Sequence, residues 1–180
     1  MKVPTLAECE VLMEEYKMPE HIRAHTEAVR RVANFLARKI YARGHLIDLD
    51  AVDRAALLHD LMKAYCIGHN CRHAAEAGKV LSGKGFNELG KVVKLHGLED
   101  VLGFDAKTPL EAKIVWYADK RVTHDKVCTF AERFEDLKKR YGSVSKERMA
   151  EFAMAKKPAL ATEKELLGLA GVKEGLEGLK

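Results

Sequence analysis

A chain of 180 residues, 47% hydrophobic and 32% charged, holds enough apolar material for one substantial core and reads as an ordinary globular domain. Its net charge of +4 is modest, which argues against a dedicated nucleic-acid binder with a strong basic stripe and favours a small anionic partner in a local basic pocket. No apolar run approaches bilayer length, and Glu8 and Glu10 fall where a secretory signal would need an unbroken apolar segment, so a cytoplasmic chain with no membrane contact is expected.

The hydrophobic period is helical almost throughout. Thr5-Leu6-Ala7-Glu8 is a capping box opening a helix that runs to about Tyr16. Pro19, suited to a first helical turn, opens a long helix to Arg43, and Gly44 stops it. A third helix is expected from about Asp50 to Tyr65. Shorter ones are expected over 72–81, 86–95, 109–123, 129–141 and 145–156, separated by breakers such as Gly83-Lys84-Gly85 and Thr108-Pro109. No strand pair is evident, so the expected architecture is an all-α bundle with a site where several helices converge. Residues 1–157 are expected to form the main domain. Past Lys157 a second capping box, Thr162-Glu163-Lys164-Glu165, leads into an amphipathic stretch, so 158–180 reads as a C-terminal helical appendage. This tail has a faint likeness to a helix-hairpin-helix DNA-binding element, but Lys173 stands where that element needs glycine, and packing on the bundle is the simpler account.

Several polar residues fall where an apolar one belongs. Met18, Ile22, His25, Val29, Val32 and Leu36 form a stripe at 3.6-residue period, so His25 points inward. Asp119 repeats the pattern with Ala112, Val115 and Val122. His59-Asp60 ends the apolar run Ala55-Ala56-Leu57-Leu58. A lone core histidine is usually satisfied by backbone and does nothing more. A carboxylate sent into a core, however, is costly unless it is paired or bound to metal, and one shared cation would satisfy all four groups.

The ordered set His25, His59-Asp60 and Asp119 resembles the HD-domain superfamily of metal-dependent phosphohydrolases, over about Pro19 to Tyr141. The resemblance implies an HD-domain helical bundle in which His25, His59, Asp60 and Asp119 hold a first divalent metal. His73 and His96 are similar to the extra histidines of the family's two-metal branch, where the central Asp bridges the ions. By that likeness they are second-metal candidates. Mixed imidazole and carboxylate ligands suit Mn, Fe, Co, Ni or Zn better than Mg, with one or two ions per chain. Such a metal lowers the pKa of bound water, so the implied activity is hydrolysis of a nucleotide or dinucleotide phosphate ester or anhydride. Asp60 is also a candidate for proton transfer, and Lys63, one turn beyond His59, for catalysis and for holding a substrate phosphate oxygen, although a solvated lysine paired with Asp60 explains Lys63 as well. Lys120 and Arg121, flanking Asp119, are further phosphate candidates.

The subfamily signatures narrow the substrate. The acidic pair that alarmone hydrolases carry after the dipeptide is replaced by Leu61-Met62-Lys63, and the Gly-Tyr-Pro signature of cyclic-dinucleotide phosphodiesterases does not follow His96-Gly97. The spacing of His73, His96 and Asp119 is most similar to small hydrolases of diadenosine tetraphosphate. Two other classes stay open: a catalytically weak domain sensing a nucleotide, and a helical interaction module with structural histidines. A homo-oligomer is also open. Cys66, His69, Cys71 and His73 lack the paired knuckles of a structural zinc site. With Cys9 and Cys128 these cysteines show no disulfide-scaffold spacing and are expected to be reduced. His124-Asp125, a second such dipeptide, reads as a solvated helix end or turn.

Overall fold

The computed structural model describes residues 1–142 and 146–179. It is an all-α bundle. The capping box opens α1 (Leu6–Glu15): Thr5 Oγ1 accepts from the Glu8 N–H at 3.2 Å, and the Glu8 carboxylate accepts from the Thr5 N–H at 2.7 Å. α2 (Glu20–Ala42) starts behind Pro19 and buries Ile22, His25, Val29, Val32 and Leu36 of the predicted stripe, which continues to Ile40. Asp48 caps α3 (Leu49–Leu58) by accepting from the Ala51 N–H at 3.0 Å.

The helix expected from Asp50 to Tyr65 is interrupted. α3 ends at Leu58, a turn covers residues 59–62, and α4 (Lys63–His69) restarts beyond it. In that turn the Leu61 N–H reaches Leu58 O at 3.1 Å and the Lys63 N–H reaches Asp60 O at 2.9 Å, bonds three residues back instead of four. This tighter winding re-aims the chain at His59-Asp60. Asn70 then takes a left-handed conformation, φ +50, and turns the backbone so that Cys66 and Cys71 lie 4.7 Å apart at Cα. They are disulfide-bonded, which corrects the expectation that both are free thiols. Cys9 is a buried free thiol, pushed up to about 11 by burial.

α5 (His73–Gly83) and α6 (Asn87–Val93) touch backbone to backbone. A Cβ on Gly78 would lie 2.7 Å from Gly90 O, and one on Gly90 would lie 2.5 Å from Gly78 O, so only glycine permits the approach. A short 3-10 helix (Leu98–Gly103) leads to α7 (Leu110–Asp119), the central helix, buried at every residue from Ala112 to Asp119. Its polar side chains find partners: Trp116 Nε1 donates to Gly97 O at 2.8 Å, Tyr117 Oη to Glu163 at 2.8 Å and Lys113 Nζ to Glu165 at 2.8 Å.

Where the sequence suggested helix to residue 123 and no strands, α7 stops at Asp119. A two-residue pair follows, β1 (Val122–Thr123) with β2 (Lys126–Val127), antiparallel, with His124-Asp125 at its tip and His124 at φ +58. α8 (Phe130–Leu137) carries its own capping box, Thr129 with Glu132, and ends in a π-helical turn over Lys138–Gly142.

The expected helix start at residue 145 lies outside the described residues. From there α9 (Lys146–Ala170) runs unbroken through Pro158, so the expected boundary at 157 falls inside a helix. Thr162 is no cap. Its hydroxyl donates to Pro158 O at 3.1 Å from mid-helix. The reason is burial: Phe152, Ala155, Ala159, Leu166 and Ala170 form a continuous buried stripe, and packing along it outweighs the local proline and capping signals. Past Gly171 the chain is held by Arg121, which donates to Glu174 O at 2.8 Å, and by buried Leu176.

Candidate metal centre

His25 from α2, His59 and Asp60 from the turn after α3, His73 from the start of α5, His96 from the loop after α6, and Asp119 from the end of α7 converge. Asp60 is 1% exposed and His59 fully buried. His25 Nε2 lies 3.0 Å from Asp119 Oδ1 and 3.8 Å from Asp60 Oδ2. His59 Nε2 lies 3.5 Å from Asp60 Oδ2 and 3.8 Å from Asp119 Oδ1. On the other oxygen of Asp60, His73 Nε2 stands at 3.3 Å and His96 Nε2 at 3.6 Å from Oδ1. Two groups able to hold a metal ion result, His25/His59/Asp60 and Asp60/His73/His96, with ligand atoms within 4.8 Å of one another in each. Asp60 belongs to both.

The hydrogen bonds behind the rings decide what these contacts mean. His25 Nδ1 meets His124 O at 2.6 Å, His59 Nδ1 meets Ala56 O at 2.8 Å, and His96 Nδ1 meets Val93 O at 2.7 Å. A carbonyl can only accept, so each Nδ1 is the donor. In a neutral ring the Nε2 lone pair then faces inward. Among the described residues, His59 Nε2 and His96 Nε2 are buried with no hydrogen-bond partner. Lone pairs facing carboxylate oxygens repel unless a proton or a cation lies between them. This donor set fits a divalent cation, and these buried His and Asp clusters could hold one.

The electrostatics suit that use. Burial alone would raise Asp60, but Lys63 and His59 hold its carboxyl well below the usual range, and Lys120 and His25 do the same for Asp119. Burial and the charge of His96 push His73 down to about 4. Burial and the charge of His59 also lower His96. His59 goes the other way, raised because Asp60 and Asp119 outweigh its desolvation. At neutral pH the carboxylates are therefore ionised and His73 and His96 neutral, the forms that bind metal, whereas the shift on His59 favours its charged ring, whose proton a bound cation would displace.

The chain matches no known protein family, no curated protein and no solved structure at a significant level. The site must therefore be read from its own geometry.

The three basic candidates differ. Lys63 Nζ donates to Asp60 Oδ2 at 2.6 Å from a partly exposed position at the edge of the cluster. Lys120 is buried, donating to His96 O at 2.9 Å and pairing with the Asp119 carboxylate, so it braces two ligand-bearing segments. Arg121 is not brought to the site: its guanidinium is committed to Cys128 O at 2.7 Å, Tyr117 Oη and Glu174 O. The tip of the small hairpin, expected to be a bystander, holds His25 through the His124 carbonyl. A main-chain acceptor leaves no mark in the sequence. Trp116 was equally silent, yet its indole bond to Gly97 O fixes the loop carrying His96.

Proposed function

We propose that the chain is a metal-dependent phosphohydrolase acting on a nucleotide or dinucleotide phosphate ester or anhydride. One observation carries the reading: a buried carboxylate, Asp60, has a separate histidine group at each of its two oxygens, with inward ring nitrogens that a divalent cation would satisfy together. His25, His59, Asp60 and Asp119 would hold a first ion, and Asp60, His73 and His96 a second. Bound there, a divalent metal supplies the Lewis acidity that makes water a nucleophile near neutral pH.

The protein's own groups supply the rest. His73 and Lys63 are the members whose side chains reach solvent, 36% and 31% exposed, so substrate approaches between α4 and α5. Lys63 offers an ammonium to a phosphate oxygen, exchanging its bond to Asp60 for one to substrate. A cavity of about 450 Å³ beside the His96 loop is lined by Glu99, Asp100 and Asp105 with Lys107 as its one cation, a net negative set that suits a phosphorylated ligand less well than the α4–α5 side.

Phosphate release from a panel of mono- and dinucleotides, with Mn(II), Co(II), Ni(II) or Mg(II), tests the proposal. Metal-dependent turnover abolished by Asp60→Asn supports it. Tight nucleotide binding with no turnover by any metal refutes it in favour of a sensor.

A further inference from the structure

We infer that the Cys66–Cys71 disulfide is a reducible tether that sets the position of His73, so that thiol–disulfide exchange controls the second metal position. The metal part rests on the reading above. The tether part rests on the chain alone.

Cys66 lies in the last turn of α4, the helix whose first residue, Lys63, holds Asp60. Cys71 precedes His73 by two residues, and His73 is the first residue of α5. The bond therefore joins the end of one helix at the site to the start of the next. His73 needs such a tether more than its neighbours do. His25, His59 and His96 are each locked by an Nδ1 bond to a backbone carbonyl, whereas among the described residues no carbonyl takes that role for His73. The start of α5 is weakly held besides: its N-cap, Arg72, makes no side-chain capping bond, and the Arg72–Glu99 pair at 2.7 Å is largely solvent-exposed. Besides the disulfide, the first turn is ordered by Arg72 reaching Asp100 at 3.6 Å, by the His73 ring against that of His96 and by the packing of Ala74 and Ala77.

The two sulfurs differ in access, Cys66 being buried and Cys71 partly exposed. A small dithiol is the reductant that fits. One of its thiolates attacks Cys71 Sγ, forming a mixed disulfide and expelling Cys66 as a thiolate that takes up a proton. The second dithiol sulfur then closes on the first, releasing Cys71 as a thiol and leaving the reagent oxidised by two electrons. With the ring open, α4 no longer holds the first turn of α5, and His73 moves from Asp60.

The test uses the full chain in three forms: air-oxidised, reduced with dithiothreitol and desalted anaerobically, and Cys66→Ser/Cys71→Ser. Thiol titration in denaturant is expected to find two free cysteines in the oxidised chain and four in the reduced one. Hydrogen exchange at 72–76 is expected to be faster in the reduced chain and in the double variant, with α2 and α7 unchanged. Competition titration with Co(II) is expected to show the first equivalent unaltered and the second bound about tenfold more weakly, the scale of losing a support behind a ligand. Four free thiols in the oxidised chain, or identical exchange at 72–76 in all three forms, would overturn the tether. Equal affinity for the second equivalent in every form would overturn its control of the metal. Failure of every form to take up Co(II) refutes the metal reading instead, while the exchange comparison still decides the tether.

Discussion

Gly90→Ala probes the contact that brings His73 and His96 together. The new methyl would lie 2.5 Å from Gly78 O and 2.6 Å from Ser82 Oγ, with Ser82 N at 3.3 Å. The hydroxyl can rotate away, but the carbonyl belongs to the α5 backbone, so the helices must part. Overpacking of this kind costs about 1–3 kcal/mol, and an immovable neighbour puts this case near the top. Alanine returns about 1 kcal/mol of helix propensity. The expected balance is a loss of about 2 kcal/mol, or roughly 4–8 °C in Tm for a chain of this length. Gly168→Ala is the control: it lies inside α9 with nothing within 4 Å of the added Cβ, so only the propensity gain of up to about 1 kcal/mol should appear. Scanning calorimetry compares the two, and cobalt titration of Gly90→Ala should show the second equivalent weakened before the first. If Gly90→Ala raises Tm as Gly168→Ala does, α5 and α6 are not in backbone contact and the placement of His73 against His96 is wrong.

His59→Ala should weaken uptake of the first ion and Asp60→Asn that of both, and each should cut phosphohydrolase activity by a factor of a hundred or more, on the scale of about 3 kcal/mol of lost electrostatic stabilisation. His124→Gly should leave metal content intact, because His25 bonds the His124 main-chain carbonyl and φ +58 suits glycine; elemental analysis showing the reverse pattern would refute the assignment. Adding Mn(II) to chelator-stripped protein at about a hundred times its Kd should stabilise the fold by about 2.7 kcal/mol, visible as a higher Tm, and no shift with any transition metal would exclude the site. Asp53 gives a pH test away from the candidate metal centre: burial opposes ionisation, but Arg30 at 2.6 Å and Asn34 hold its carboxyl below the usual carboxylate range. A depressed folded pKa stabilises the protein above the unfolded value, and that contribution is lost as pH falls through the folded one. Asp53→Asn should therefore lower the urea midpoint at pH 7 by the equivalent of about 1–3 kcal/mol, with the difference from the parent vanishing in acid; a difference that grows on acidification would refute the sign.

Local chemistry was enough to read the helical class, the inward face and approximate ends of α2 and the cap of α1, because a 3.6-residue stripe and a capping box act over one or two turns. The polar residues interrupting apolar runs also marked themselves: His25, His59, Asp60 and Asp119 are all buried, as their positions in those runs required. What the sequence could not show depends on groups distant along the chain. The helix over Asp50–Tyr65 breaks at His59 although its apolar pattern continues. α9 runs through Pro158 and ignores a good capping box because its buried stripe finds a partner surface in the bundle. Arg121 looked like a phosphate ligand and instead binds the C-terminal segment. Cys66 and Cys71 pair because a left-handed Asn70 folds the chain back. Residue types and periodicity determined which groups would be sent inward. Only tertiary packing decided which of them meet, since a distance across the core depends on the crossing of helices and on main-chain carbonyls such as that of His124, which no side chain records.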